Sequence, residues 1–434
     1  MPIGGLVTGQ RVDRYLRYYQ ACETWPAEKI AAEQGRLLRG TLRTAYDEIP
    51  FYRDLFVQAG IRPEDIREAA DLVALPITTK DMLRDAFPDR CTRMTKGPLQ
   101  MQSTSGSTGR PFRSVIDADT QARARALMFL RAMISGYRPG DDVLQTGSSP
   151  SRGKLKALKD RLLGTRYVST YDMTDTVLDR CLDTIAKDRI QYLMGTAQTM
   201  YLIARHASAV GFQHPLQGVV SWGSLLLPIH RQQIHEAFSC RVFDTYGVSE
   251  GMQIAAQCGE AHGEYHQFPL HVIAEMSHEG APATTGKSGD VLLTRLNAGA
   301  MPFIRYRVGD RAVVSDNAPC PCGRTTPRLA SIQGRTSDIV TTPNGNRLTV
   351  NFFSSLFGAV SGLVSFQVRQ IDLEHLHITV AVDESGDLPD LNLILEQILH
   401  KGDSDLQITI EVVNEIPLEK SGKQKYIVSD VELQ

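Results

Sequence analysis

The sequence predicts an α/β fold: a large N-terminal domain of mixed or parallel sheet covered by helices, followed by a small α+β domain. Three observations predict it. Between residues 120 and 247, short apolar runs alternate with helix-length amphipathic stretches, as repeated βα units require. Residues 270–340 turn β-rich, with Gly and Pro at the turns. From about residue 336 a hairpin signal, two helices and three strands make a compact module. At 434 residues the chain is long enough for more than one core. The boundary falls at Gly334–Arg335, giving domains 1–334 and 335–434.

The first hundred residues are mainly helical. EKIAAEQGRLLRGTLRTAYDEI repeats apolar positions at three and four, which describes one amphipathic face. FYRDLFVQAG is a second, shorter helix closed by Gly60. TTKDMLRDAF carries an N-cap at Thr78 or Thr79. SVIDAD forms a strand and turn. Helices at TQARARALMFLRAM, TVLDRCLDTIAKDR, AQTMYLIARHASAVG and LPIHRQQIHEAFS then alternate with strands at DVLQTG, IQYLMG, LQGVVSWG and RVFDTYG. HVIAEM, DVLLTRL and RAVVSD supply the β-rich section. The C-terminal module has a hairpin at PNGN, helices at NFFSSLFGA and LNLILEQILHK, and strands at VSFQVRQ, LHITVAV and LQITIEVV. No internal repeat is present.

Bulk properties remove several function classes. A net charge of −2 gives no basic field for nucleic acid. No apolar run reaches the ~18–20 residues of a membrane span. The N-terminus lacks the basic-then-apolar order of a secretory signal, so a cytoplasmic protein is expected. Seven cysteines, four of them scattered singly (Cys22, Cys91, Cys181, Cys240), do not suggest a disulfide framework.

The run QSTSGSTGRP, residues 102–111, poses the functional question. A Walker A loop needs Lys and then Ser or Thr after its last glycine. Gly109 is followed by Arg110, Pro111 and Phe112, which excludes that motif. The run nonetheless lies between strand-like segments, and its glycines alternate with hydroxyls that can converge on one anion. Four further motifs follow in order: DTYGVSE (Asp244 to Glu250), FIRYRVGD (Phe303 to Asp310), GRTSDIV (Gly334 to Val340) and IPLEKSGKQK (Ile416 to Lys425).

Together, in this order and spacing, the five motifs resemble those of the acyl-adenylate-forming enzymes. The C-terminal ones look most like the phenylacetate–CoA ligase branch. The resemblance runs from about residue 40 to the C-terminus. It implies the adenylate-forming fold, with a mobile C-terminal domain, and a ligase that makes an acyl-adenylate from ATP and a carboxylate. Ser103, Thr104, Ser105, Gly106, Ser107, Thr108 and Gly109 would then wrap the β- and γ-phosphates, with Arg110 where relatives often have Lys. Tyr246 would pack on the adenine, Ser249 would contact the α-phosphate and Glu250 would hold Mg²⁺; Asp244 and Gly247 belong to the same nucleotide-binding motif. Gly223 and Ser224 match a stretch that lines the adenine, although Leu225 replaces the family's acid. Asp310, with two acceptor oxygens, would take both ribose hydroxyls. Arg335 would pair with nucleotide oxygens. Ser337 stands at the pivot, where relatives often carry Asp or Lys. Lys423 would bridge the carboxylate and the α-phosphate as charge develops, so the resemblance makes Lys423, Glu250 and Arg335 the catalytic set.

CGEAHGEYH and CPCGRT gather Cys258, His262, His266, Cys320 and Cys322. In a reducing compartment such a cluster points to metal rather than to a disulfide, and three thiolates with one imidazole make a closed structural Zn²⁺ site. Spacing leaves His262 and His266 both open; the pattern in relatives favours His266. Tyr137, Gly195, Thr196, Trp222 and Met252 are candidates for the acyl pocket. The expected substrates are ATP, a small aromatic acid and CoA. The alternative acceptors are an amine, a hydroxyl or a carrier-protein thiol, as in natural-product pathways. A homodimer is compatible with these partners; nucleic acid and membrane are not expected.

Overall fold

The computed structural model describes residues 10–103, 112–147, 153–169, 173–260, 263–335, 338–357, 360, 363–382, 390–417 and 424–431. They fall into two compact units, each drawn from two stretches of chain. The first combines Met1–Pro139 with Phe243–Ile332; the second combines Gly140–Val242 with Gln333–Gln434.

In the first unit the helix Gln10–Cys22 buries Val12, Tyr15, Tyr19 and Cys22 along one stripe. It packs on the helix Ala118–Met133, where the Tyr15 hydroxyl donates to Asp119. The helix Ala27–Glu48 buries Ile30, Leu38, Leu42 and Ala45 at the expected spacing. Its Gly35 admits the Arg67 carbonyl: a Cβ there would lie 2.9 Å from that oxygen. Pro50–Ala59 ends on Gly60 in the left-handed conformation, φ +67°, which an L side chain resists. Of the two threonines considered as caps, Thr79 opens the helix Lys80–Ala86; its hydroxyl accepts from the Met82 N–H at 3.3 Å.

Eight strands of this unit lie in the order Ala281–Pro282, Val272–His278, Ser288–Arg295, Tyr306–Val314, Arg328–Arg335, Tyr265–Gln267, Met252–Gln257 and Arg241–Val248. Their core joins Leu38, Tyr52 and Phe56 from the helices to Met252, Ile254, Leu293, Phe303 and Tyr306 from the strands. Each such fully buried large side chain contributes roughly 1.5–3 kcal/mol. A separate hairpin pairs Gln100–Ser103 with Arg113–Ile116, Ser103 standing opposite Arg113. The Ser/Thr/Gly run therefore connects two paired strands, and residues 104–111 themselves lie outside the described residues.

The second unit contains four parallel strands in the order Gly218–Trp222, Tyr192–Gly195, Val143–Gly147 and Thr165–Ser169. The helices Asp175–Lys187, Ala197–Ala209 and Pro228–Phe238 cover them through Leu178, Ile185, Met200, Ile203, Ile234 and Phe238. Parallel strands need such crossovers, which explains why strand and helix signals alternate here. The C-terminal part has a four-stranded sheet ordered Gln407–Val413, His375–Val382, Leu363–Gln370 and Ile427–Ser429, with the hairpin Ile339–Thr341/Arg347–Thr349 beside it. Its core of Phe353, Phe366, Val368, Ile378 and Ile398 also takes in Leu227, which precedes the helix Pro228–Phe238. The buried Tyr426 hydroxyl donates to Gln198 Oε1 at 2.9 Å and lies 3.1 Å from His230 Nε2. No described helix is long and apolar enough to cross a membrane.

Candidate active site

The two motifs with the most nucleotide chemistry both sit where strand pairing is irregular. Along Arg241–Val248, Tyr246 opposes Ala255 but Gly247 opposes Gln253, so Ile254 is an extra residue in the partner strand. A Cβ on Gly247 would come within 3.1 Å of the Gln253 side-chain oxygen and the Met252 carbonyl, so a side chain here would push them by a few tenths of an ångström. Along Tyr306–Val314, Arg307 pairs with Leu292 and Arg311 with Asp290, which leaves Val308, Gly309 and Asp310 bulged out around Gly309 at φ +87°. Bulges re-aim side chains beside functional sites. Here they bring Tyr246 and Asp310 together: the Tyr246 hydroxyl donates to Asp310 Oδ2 at 2.8 Å. Asp244 faces inward, accepting from the Tyr265 hydroxyl at 2.7 Å, while its own N–H donates to Gln257 Oε1 at 3.0 Å.

Glu250 is a buried acid, 3% exposed, in the turn after the same strand. Its Oε1 accepts from the Tyr306 hydroxyl at 2.8 Å and its Oε2 from the Ser249 hydroxyl at 3.1 Å. Its main-chain carbonyl accepts from Arg295 at 3.2 Å. Arg295 is fully buried and also donates to the carbonyls of Asn297, Ala298 and Met301. Burial lowers this guanidinium to about 10, with Asp117, Tyr52 and Glu250 opposing, so it still carries its charge near neutral pH. Sequence reasoning missed Tyr306, Arg295 and Tyr265. Tyr306 was quoted within FIRYRVGD without a role, and only its place four residues before Asp310 hinted at one.

In the second unit Gly223 adopts φ +72°, and the Ser224 hydroxyl accepts from the Ala197 N–H at 3.1 Å, helping Thr196 cap the helix Ala197–Ala209. Gly334 has φ +94° and packs near Leu225; Arg335, at the end of its strand, is exposed. Among the acyl-pocket candidates Met252 and Tyr137 are buried, and Trp222 is half-buried. A Cβ at Gly195 would lie 2.0 Å from Thr146 Oγ1 and 2.5 Å from Met200 Cε. Gly195→Val is therefore expected to lower stability by about 1–3 kcal/mol through overpacking, read as a fall in thermal midpoint. Ser103 is exposed at the strand end. Thr104 to Gly109, His262, Ser337 and Lys423 lie outside the described residues.

Cys258, His266, Cys320 and Cys322 converge, their ligand atoms all within 4.8 Å of one another. Zn–S bonds of ~2.3 Å and Zn–N bonds of ~2.0 Å imply tetrahedral edges of ~3.8 Å for S···S and ~3.5 Å for S···N. The structure has 3.8 Å between the Cys258 and Cys320 sulfurs, and 3.4 Å between Cys322 Sγ and His266 Nε2. His266 Nδ1 lies 3.1 Å from the Thr326 hydroxyl, which leaves Nε2 toward the sulfurs. Burial, then Arg324 and Arg328, lower the imidazole to about 4, the neutral form that ligates. Burial pushes the Cys322 thiol up, but hydrogen bonds from the Arg324 backbone, Cys320 and the Arg324 side chain outweigh it, and the thiol ends below its ordinary value. Gly323, at φ +76°, turns the Cys-Pro-Cys knuckle so that its N–H reaches the Cys320 carbonyl. The donor set fits Zn²⁺.

Comparison with known proteins agrees with these motifs. A family model described as the CapK C-terminal domain matches residues 340–430. The phenylacetate–coenzyme A ligase of Thermus thermophilus is 26% identical over 389 residues, covering 85% of each chain. That of Escherichia coli is 27% identical over 396 residues, 86% of this chain and 84% of the relative. Among solved structures, 2-hydroxyisobutyryl-CoA ligase in the postadenylation state, in complex with R3-HIB-AMP, shares the fold. Its TM-score is 0.77 at 21% identity, over 94% of this chain and 91% of that one. Along most of its length the chain is similar to the phenylacetate–CoA ligase-like branch of the acyl-adenylate-forming enzymes, which supports an AMP-forming ligase.

Proposed function

We propose that this ligase activates a small aromatic carboxylic acid with ATP and passes the acyl group to the thiol of CoA. In the first step a carboxylate oxygen attacks the α-phosphorus, the bond to the oxygen bridging to the β-phosphate breaks, and pyrophosphate leaves. In the second the CoA thiolate attacks the acyl carbon and AMP leaves. The reading is carried by the two carboxylate–tyrosine contacts, Asp310 with Tyr246 and Glu250 with Tyr306, in motifs ordered as in adenylating enzymes. Relatives named for phenylacetate, matching over most of this chain, support an aryl acid and CoA.

The carboxylate is a poor nucleophile and the polyphosphate is highly charged, so positioning and charge neutralisation do most of the catalysis. Tyr246 packs on the adenine and Asp310 takes the ribose hydroxyls, while Asp244, held by Tyr265, fixes the strand beneath. Gly223 and Ser224 line the base. Ser103 to Gly109 close over the outer phosphates, Ser249 meets the α-phosphate, and Arg335 and Lys423 neutralise charge there. Glu250 is the residue that would hold Mg²⁺, which supplies positive charge to the phosphates. Cys258, His266, Cys320 and Cys322 would hold Zn²⁺ as a closed set, stabilising the fold without touching the reaction. Tyr137, Gly195, Trp222 and Met252 stand on the acyl side. Residues 335–434 act as the C-terminal domain, supported by the family match over 340–430.

The test is the mass of the product formed from ATP, Mg²⁺, CoA and a panel of aryl and aliphatic acids. An aryl-CoA thioester is expected. Acyl-adenylate without thioester would move the acceptor to an amine, a hydroxyl or a carrier thiol. Absence of pyrophosphate exchange with every acid would sink the reading. Asp310→Ala should weaken kcat/KM for ATP by roughly 10- to 100-fold, because a charged hydrogen-bond acceptor is worth about 1.5–3 kcal/mol.

A further inference from the structure

Glu250 does not stand alone. Its two carboxylate oxygens accept from different hydroxyls, Tyr306 on Oε1 and Ser249 on Oε2. The Ser249 bond comes from the adjacent residue and moves with the turn. The Tyr306 bond comes from a residue 56 positions away, with its ring and backbone both fixed. Tyr306 is 0% exposed, tilted against Phe303 at 4.9 Å between ring centroids. Its backbone is held from outside the sheet by Thr78, which accepts from the Arg307 N–H at 2.9 Å and donates to the Arg305 carbonyl at 3.0 Å. The ring also stacks on Phe112, with centroids 6.0 Å apart and planes at 23°. Phe112 is the first described residue after the Ser/Thr/Gly run and is itself 1% exposed.

We propose that Tyr306 is a positioning residue for the divalent cation of MgATP: its hydroxyl fixes the rotamer of Glu250, and its ring is braced by Phe112 and Phe303 so that the hydroxyl stays in place. This rests on the assignment of Glu250 as the cation ligand. A carboxylate held by an immobile donor presents its remaining lone pairs in one direction, which is how partners behind a ligand tune metal affinity. The stack on Phe112 braces the Tyr306 ring, and with it the hydroxyl that holds the acid. Ser249 alone would leave Glu250 free to rotate with its turn.

The test is Tyr306→Phe, which keeps the ring and removes the hydroxyl. Mn²⁺ is titrated, with detection by electron paramagnetic resonance, into protein saturated with α,β-methylene-ATP, alongside the Mg²⁺ dependence of pyrophosphate exchange. Mn²⁺ binding about tenfold weaker is expected, as is typical when a ligand's supporting partner is lost. Excess Mg²⁺ should restore exchange, and the thermal midpoint should stay close to that of the parent. Parent-like Mn²⁺ affinity in Tyr306→Phe overturns the proposal. Glu250→Gln separates the two assignments: if it weakens Mn²⁺ and Tyr306→Phe does not, only the role of Tyr306 falls. If neither weakens it, the assignment of Glu250 falls too. Should the phenylalanine variant not fold, Phe112→Leu, which keeps the hydroxyl but removes the stacked ring, carries the same test. Weaker Mn²⁺ binding then supports the coupling, and parent-like binding overturns it.

Discussion

Lys423→Ala is expected to lose adenylation, with kcat for pyrophosphate exchange falling by about 10²–10³ while the protein stays folded. The size comes from the charge that the lysine would meet in the proposed reaction. As the acid attacks, negative charge from two anions crowds around the α-phosphate, and one preorganised electrostatic contact there is worth about 2.7–4 kcal/mol. The tolerance of the fold comes from the residues on either side. Before the glycine-flanked KSGKQK stretch, Ile416 is buried. After it, Gln424 donates to the Phe366 carbonyl and the Gln367 side chain donates to the Lys425 carbonyl at 2.8 Å. The Tyr426 carbonyl accepts from the Val368 N–H at 2.8 Å, and its hydroxyl sits between Gln198 and His230. None of these contacts uses the Lys423 side chain, so its removal should leave the thermal midpoint within a degree or two. Exchange at a near-parental rate in a folded Lys423→Ala protein would contradict the assignment.

The helices and alternating strands were legible because their apolar residues keep a period. Ala27–Glu48 and Pro50–Ala59 follow the 3.6-residue stripe, and Gly60 and Thr79 announce their ends in residue chemistry. The helix Gln10–Cys22 carried the same stripe, but tyrosines at 15 and 19 filled it and the aliphatic signal was weak. Met252–Gln257 and Tyr265–Gln267 were not read as strands. One is buried along almost its whole length and the other is three residues long, so neither alternates apolar with polar. The basic helix Lys154–Leu162 is only nine residues long; leucines at 155, 158 and 162 do recur at three and four, yet Leu158 and Leu162 are exposed.

The site divides in the same way. Motif order picks out Tyr246, Glu250 and Asp310 because their chemistry is written in local residue types. Their partners are not local: Tyr246 meets Asp310 across 64 positions and Tyr306 meets Glu250 across 56. Such pairs exist only once strands are registered, and a bulge decides which side chains meet. The cysteine cluster shows the complementary limit. Spacing supplies candidate donors, but only the pairing of Arg328 with His266, and of Leu329 with Tyr265, brings the histidine's strand beside the one that follows the Cys-Pro-Cys knuckle.

Cys322→Ser is expected to abolish stoichiometric zinc and to lower the thermal midpoint by ten degrees or more. The scale follows from structural zinc, whose apparent binding free energy of about 10–16 kcal/mol in small domains is also folding energy. A larger unit with its own core loses only part of that. The knuckle does more than close on itself, and its other contacts say where the loss spreads. Arg324, two residues past Cys322, donates to Glu23 at 2.6 Å, and the Thr325 N–H donates to the Glu23 carbonyl at 2.9 Å. Glu23 immediately follows the helix Gln10–Cys22, so the cluster anchors the end of that helix. Hydrogen exchange should therefore report faster exchange over residues 10–25 in Cys322→Ser and in chelator-treated protein, with the Tyr192–Gly195 and Gly218–Trp222 strands unchanged. The strands matter as the control, because uniform loss of protection would mean general unfolding rather than release of one anchor. Parent protein that is fully stable with far less than one zinc per chain would show the four donors to be ordinary buried thiols and an imidazole.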